Sequence, residues 1–129
     1  MMEDYNKLTE IIIGRAIEVH RLLGPGLLES AYRKCLAHEL RQAGLTVEEE
    51  KPLPVVYKDI QLDQGYRLDI LVNGRIVLEL KSIDAIAPVH SAQMLTYLKF
   101  GGYPLGLLIN FNVTLLKEGL KRFAMSKNQ

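Results

Sequence analysis

Tyr66-Arg67-Leu68-Asp69-Ile70-Leu71-Val72-Asn73-Gly74-Arg75-Ile76-Val77-Leu78-Glu79-Leu80-Lys81 is the stretch on which the reading of this chain turns. Two short runs rich in Ile, Val and Leu flank an Asn-Gly pair. Both residues of that pair tolerate positive φ, so the pattern is that of a β-hairpin, with strands expected over Tyr66–Val72 and Arg75–Lys81. Three charges interrupt the apolar runs: Asp69 in the first strand, Glu79 and Lys81 in the second. Charges in such strands are costly to desolvate and need partners. Glu79 and Lys81 are two apart and point from the same face.

Two carboxylates on one sheet face repel each other, and a hard cation relieves that repulsion. Oxygen ligands suit Mg2+, with Mn2+ as a possible substitute. A bound cation polarises a phosphoryl oxygen and makes water nucleophilic near neutral pH, while the ammonium of Lys81 orients that water or offsets charge developing on a phosphate. The kit is sufficient for phosphodiester hydrolysis. The competing reading is a plain interstrand salt bridge in which Lys81 neutralises either acid. Register discriminates between the two. A strict two-residue Asn73-Gly74 turn pairs Asp69 with Leu78 and puts Asp69 and Glu79 on opposite faces. The metal-site reading needs a loop that shifts the pairing by one. A three-residue loop over Val72–Gly74, with Gly74 left-handed, or strong local twist near the hairpin, is therefore expected.

Working outward, apolar residues at 8, 12, 16, 19 and 23 predict a helix over Leu8–Leu23, stopped by Gly24-Pro25-Gly26. A second helix is expected from about Leu28 to Ala43, closed by Gly44. Thr46–Glu50 and Leu53–Tyr57 read as strands around a Lys51-Pro52 break. Beyond the hairpin, Ser91–Phe100 reads as a third helix. Leu105–Phe111 reads as a central strand covered on both faces. Val113–Met125 reads as a short helix interrupted at Gly119, followed by a strand. The order implies an α/β sandwich around one mixed sheet, and residues 1–129 suit a single compact domain.

Composition narrows the function. Apolar residues make up 48% of the chain, enough for a core, and no segment has the ~18 unbroken apolar residues of a membrane span. The acidic, polar start Met1-Met2-Glu3-Asp4-Tyr5 is unlike a signal or transit peptide. The single cysteine, Cys35, forms no internal disulfide, and a reducing cytoplasm fits. One Cys and three scattered His exclude a zinc-finger cage. Net charge is +1, but residues 1–50 hold nine acids against six bases while residues 51–129 hold ten bases against six acids. Lys117, Lys121, Arg122 and Lys127 form either a solvated basic tail or a contact for an anionic partner.

Further residues converge on the hairpin. In Gly26-Leu27-Leu28-Glu29-Ser30-Ala31-Tyr32, Glu29 and Tyr32 share a helix face. Glu29 either complements the positive helix end or joins the acids. His90, Gln93 and Tyr97 share a face of the third helix, lining a phosphate cleft or solvated, with Met94, Leu95 and Leu98 taking the core side. His90 alternatively caps that helix. His20 reads as a helix cap or a contact to Glu29, and Cys35 as a small buried hydrophobe. Tyr5, Tyr57, Tyr66 and Tyr103 are core edges or base-stacking groups.

These residues resemble a known family. Gly26–Tyr32 matches the signature of the GxxExxY proteins. Asp69, Glu79-Leu80-Lys81 and Gln93-x-x-x-Tyr97 resemble the PD-(D/E)xK nuclease superfamily, especially RecB-type exonucleases. Leu23–Leu27, Gly65–Asp69 and Gly106–Phe111 extend the match over nearly the whole chain. The resemblance implies a restriction-endonuclease-like αβββαβ core, a mixed central sheet flanked by helices. It implies that Asp69, Glu79, the carbonyl of Leu80 and Glu29 hold the metal and that Lys81 is the catalytic lysine. Gln93 and Tyr97 would position the nucleic-acid backbone or hold Lys81, with His90 and Tyr32 as further substrate contacts. The function implied is a metal-dependent nuclease acting on DNA or RNA. The alternative is a non-catalytic module that keeps the fold to bind nucleic acid or protein. A homodimer formed through a sheet edge or the first helix would give longer duplex contact.

Overall fold

The computed structural model describes residues 4–62 and 65–125. Helix α1 spans Tyr5–Leu23. The Asp4 side chain caps it by accepting the Lys7 N–H at 3.1 Å. It buries Leu8, Ile12, Ala16 and Val19 of the predicted stripe, whereas Leu23, its fifth member, is exposed at the helix end, and it stops at Gly24 with φ 69°. Helix α2, Glu29–Gln42, buries Tyr32, Leu36, Ala37 and Leu40.

The strands are β1 Val47–Pro52, β2 Val55–Tyr57, β3 Ile60–Leu62, β4 Arg67–Val72 and β5 Ile76–Lys81. After α3, Pro88–Gly101, come β6 Leu105–Asn110, a short 3-10 turn Leu116–Gly119, and β7 Leu120–Ala124. Five strands make one sheet in the order β1-β4-β5-β6-β7, and β2–β3 form a separate two-stranded ribbon. All neighbours in the large sheet are antiparallel except β5 and β6, which α3 joins in parallel. α1 and α2 cover one face, and α3 covers the other. α2, β1, β4, β5, α3 and β6 constitute the expected αβββαβ core, so the fold is of the α/β restriction-endonuclease-like kind. Among the described residues no helix is long and apolar enough to cross a membrane.

Several expectations are corrected. Lys51-Pro52 does not break a strand. β1 runs through it, because β1 is a sheet edge and Pro52 is its last residue, where a missing N–H is tolerated. The ribbon partner Ile60–Leu62 lies outside the predicted strands, because three alternating residues are too short a run to mark one. Cys35 is exposed rather than buried. Leu95 is exposed too, so α3 turns Met94, Tyr97 and Leu98 inward. Lys127 lies outside the described residues.

The hairpin carries the decisive finding. Val72 pairs with Ile76, Leu71 with Val77 and Ile70 with Leu78. The loop is therefore Asn73-Gly74-Arg75, with φ of 52° at Asn73 and 64° at Gly74. The anticipated odd loop is present, one residue later than expected. Asn73 is held by Thr46, whose N–H donates to the Asn73 side chain at 2.8 Å while the Asn73 N–H donates to the Thr46 carbonyl at 2.8 Å. Extending the register places Asp69 directly across from Glu79.

Candidate active site

Regular β4–β5 pairing ends at Ile70 and Leu78, and the next rung is made by side chains. The Asp69 N–H donates to Glu79 Oε2 at 2.9 Å, and the Leu80 N–H donates to Asp69 Oδ2 at 2.7 Å. Each carboxylate thus takes a backbone donor from the opposite strand, which holds the two acids face to face at the end of the sheet. The strands are distorted at this level. Leu68 packs on the α3 side, whereas Ile70 and Val72 pack on the α1–α2 side, so alternation breaks at Asp69. On β1, Glu49 pairs with Ile70 and Lys51 with Leu68, and the intervening Glu50 sits at φ 48°. Arg33 on α2 binds both Glu49 at 3.3 Å and Glu50 at 3.1 Å, which two consecutive residues of a regular strand would not allow.

Glu79 is 5% exposed. Burial, and then the charge of Asp69, push its carboxyl up to about 8, against the opposing pull of the Asp69 N–H and of Lys81. Burial also raises Asp69, although the Leu80 N–H and Lys81 oppose it. Each acid thus raises the cost of ionising the pair, so the two titrate together rather than separately. The ion pairs among the described residues join other groups, and none links Lys81 to either acid. The plain salt bridge is not what the structure contains. Lys81 stands half-buried two residues beyond Glu79, where its charge favours both carboxylates.

The Gly26–Tyr32 segment has a clear mechanical role. Gly26 has φ 100°, a value that favours glycine. Tyr32 is fully buried, its ring stacked on Phe111 at 4.3 Å. Its hydroxyl donates to the Gly24 carbonyl at 2.6 Å and accepts the Leu27 N–H at 3.1 Å. The substrate-contact expectation for Tyr32 is corrected: the residue anchors a loop from inside the core and presents no surface. The anchored loop delivers Glu29 to the end of β5, where its Oε2 lies 3.4 Å from the Ser82 N–H. There its charge raises both acids.

On α3, the Gln93 amide donates to the Tyr97 hydroxyl at 3.0 Å. Burial and then the Glu79 charge push Tyr97 up, so its phenol stays protonated beside the acids. His90 takes the capping alternative, its Nδ1 accepting the Ala87 N–H at 2.8 Å. His20 reaches neither a free helix end nor Glu29. It is buried, with Nε2 2.8 Å from the Val113 carbonyl.

Two supporting residues were not foreseen. Ser82 donates its hydroxyl to the Leu27 carbonyl at 2.7 Å, tying the Glu29 loop to β5. Asn110 is 2% exposed and grips the backbone of Ile83 at both ends. Its Oδ1 accepts the Ile83 N–H at 3.1 Å, and its Nδ2 donates to the Ile83 carbonyl at 2.9 Å. This prolongs the β5–β6 ladder by one side-chain rung and fixes the chain immediately after Lys81. The available signal was a lone amide in the apolar run Leu105–Phe111, since a buried polar group needs a partner.

The donor set is two carboxylates with one oxygen each outside these backbone hydrogen bonds, plus the Leu80 carbonyl. In an extended strand a residue's N–H and C=O point to the same edge, so that carbonyl lies on the Asp69 side. These hard oxygens, held in mutual repulsion, suit a small divalent cation. No group of three or more His, Cys, Asp or Glu among the described residues is gathered as a complete metal cage. A family model described as the PD-(D/E)XK nuclease superfamily matches residues 6–123. No curated protein and no solved structure matches the chain significantly.

Proposed function

The chain belongs to the PD-(D/E)XK nuclease superfamily, and on that premise we propose that it is a divalent-metal-dependent nuclease, working with Mg2+ on phosphodiester bonds of DNA or RNA in a reducing cytoplasm. The observation that carries this reading is the opposed, buried Asp69–Glu79 pair with Lys81 beside it. Maintaining two close carboxylates costs stability unless a cation is meant to enter between them. Asp69, Glu79 and the Leu80 carbonyl would hold the ion, with Glu29 completing the set directly or through water. A divalent ion supplies positive charge to a phosphoryl oxygen and lowers the pKa of water. Lys81 orients the attacking water and offsets charge on the phosphate. Tyr97, accepting from Gln93, keeps its own proton available to donate, which fixes the position of Lys81 or of a phosphate oxygen. Gly26–Tyr32 fits the narrower GxxExxY grouping, with Tyr32 supporting Glu29.

The test is incubation of labelled single- and double-stranded DNA and RNA with the purified protein and Mg2+ or Mn2+. Cleavage that disappears in Asp69→Ala and in Lys81→Ala, both folded, supports the reading. Intact substrates in every case, from folded wild-type protein that binds the metal by calorimetry, would sink it. One observation favours a second reading, a non-catalytic module that binds nucleic acid or protein: both acids already satisfy backbone donors. Salt-sensitive nucleic-acid binding without turnover, unchanged in Asp69→Ala, would select that reading.

A further inference from the structure

The β2–β3 ribbon forms an arm. Its root is pinned: the Leu53 N–H donates to the Tyr66 carbonyl at 2.8 Å, Leu53 is buried, and Val55 packs on the α3-side core. Its tip is the tight turn joining β2 to β3, with Lys58 at φ 55° and Tyr57 paired across from Ile60. The tip is open, with Tyr57 59% and Ile60 56% exposed. Two tyrosines here stand out from the other candidates because both are exposed and each is followed by an exposed cation: Tyr57-Lys58 at the tip and Tyr66-Arg67 at the root. Lys58 Nζ lies 5.4 Å from the centre of the Tyr57 ring. Arg67 is two residues from Asp69, and Tyr66 is close enough to Tyr97 to help raise the Tyr97 phenol.

We infer that this arm is a docking surface for single-stranded nucleic acid, with Tyr57 and Tyr66 stacking on bases while Lys58 and Arg67 meet the neighbouring phosphates. The inference rests on the nuclease reading of the acid pair and supplies its substrate class. A phenol with a cation beside it matches the repeat of an unpaired strand, in which a base face and a phosphate alternate. A duplex hides its base faces in the stack and offers the phenols nothing. Base–aromatic stacking is sequence-tolerant, so the arm holds a strand rather than reads it. Tyr66 leads directly into β4, so the root pair stands on the segment that carries Asp69.

The experiment is fluorescence anisotropy of the full chain in EDTA, where no cleavage occurs, against a 20-nucleotide oligo(dT), an oligo(U) of the same length and a 20-base-pair duplex. Single strands are expected to bind at least tenfold more tightly than the duplex. Tyr57→Ala and Tyr66→Ala each weaken single-strand binding by roughly tenfold, while Tyr57→Phe and Tyr66→Phe retain it. Lys58→Gln and Arg67→Gln each reduce the slope of log K against log salt by about 0.7. Equal affinity for duplex, or full affinity in both Ala variants, overturns the inference. So does a dimer, seen by sedimentation, that Tyr57→Ala dissociates, because the arm would then pair two copies of the chain. Single-strand binding without cleavage in Mg2+ would keep the arm and sink the nuclease. Cleavage without strand preference would do the reverse.

Discussion

Glu79→Gln isolates the electrostatic cost of the site. Glu79 rises from 4.5 to about 8, chiefly because it is buried and faces Asp69. Between those values the folded protein holds a proton that the unfolded chain has released. The contribution of Glu79 to stability therefore falls as pH rises across this window and is fully present below 4.5. At about 1.4 kcal/mol per pH unit, the group removes roughly 3–5 kcal/mol of stability by pH 8. Gln has the shape of the protonated acid, and its carbonyl still accepts the Asp69 N–H. The variant should match wild type near pH 4.5 and exceed it by roughly 3–5 kcal/mol at pH 8. The assay is urea unfolding in EDTA at steps from pH 4.5 to 9. Added Mg2+ should compress the difference from the wild-type side, since an ion between two carboxylates stabilises only the protein that can ionise both, and more so at higher pH. Parallel stability curves for the two proteins in EDTA would refute the reasoning, because they would mean that Glu79 is ionised at no cost.

Other consequences follow from single contacts. Tyr32→Phe keeps the ring on Phe111 but leaves the Gly24 carbonyl and Leu27 N–H unmatched, and should cost ~1–3 kcal/mol in denaturant unfolding. Asn110→Ala removes its own two hydrogen bonds to Ile83 and leaves the Ile83 carbonyl with the Asn112 Nδ2 donor at 3.3 Å. It should cost a similar ~1–3 kcal/mol and lower kcat more than it alters KM, since it frees the chain after Lys81 without touching a substrate surface. Lys81→Met, nearly isosteric, should leave the fold intact by circular dichroism while abolishing cleavage and raising Glu79 further, because Lys81 lowers it. Cys35 should react with a thiol reagent in the native protein without prior unfolding, which mass spectrometry reads directly.

Much of the fold was legible because burial wrote itself into spacing. The stripe at 8, 12, 16 and 19 in α1 and the continuous apolar runs of β5 and β6 each imply one packing arrangement. The misplaced features are those whose cause lies in another part of the chain. Pro52 looks like a break until β1 is known to be an edge strand. Cys35 looks like core until α2 is rotated by the burial of Tyr32, Leu36 and Leu40. The β3 half of the ribbon is nearly invisible because it is three residues long and mostly exposed.

The site was legible in a different way, as a conflict. Asp69, Glu79 and Lys81 violate the apolar pattern of their strands, and a two-residue turn would have scattered the two acids onto opposite faces. That conflict required an odd loop, and the loop is present, but its exact residues were beyond the sequence. Thr46 bears on them, since its N–H donates to the Asn73 side chain and its carbonyl accepts the Asn73 N–H, which continues the β1–β4 pairing past Val72, so that Val72 stays in the strand and Arg75 falls into the loop. The shift of one residue changes the chemistry. A loop over Val72–Gly74 would have set Asp69 opposite Val77 and left the acids diagonal. The loop over Asn73–Arg75 sets them opposed, where each can accept a backbone N–H from the other strand. The roles of Glu29 and Tyr32 were separable only in three dimensions, because a spacing of three places two residues on one helix face without saying where the helix begins. α2 begins at Glu29 itself, so the acid sits at the open end while Tyr32, one turn in, falls under Phe111. One motif therefore contains a residue that reaches the site and another that only holds the first in place.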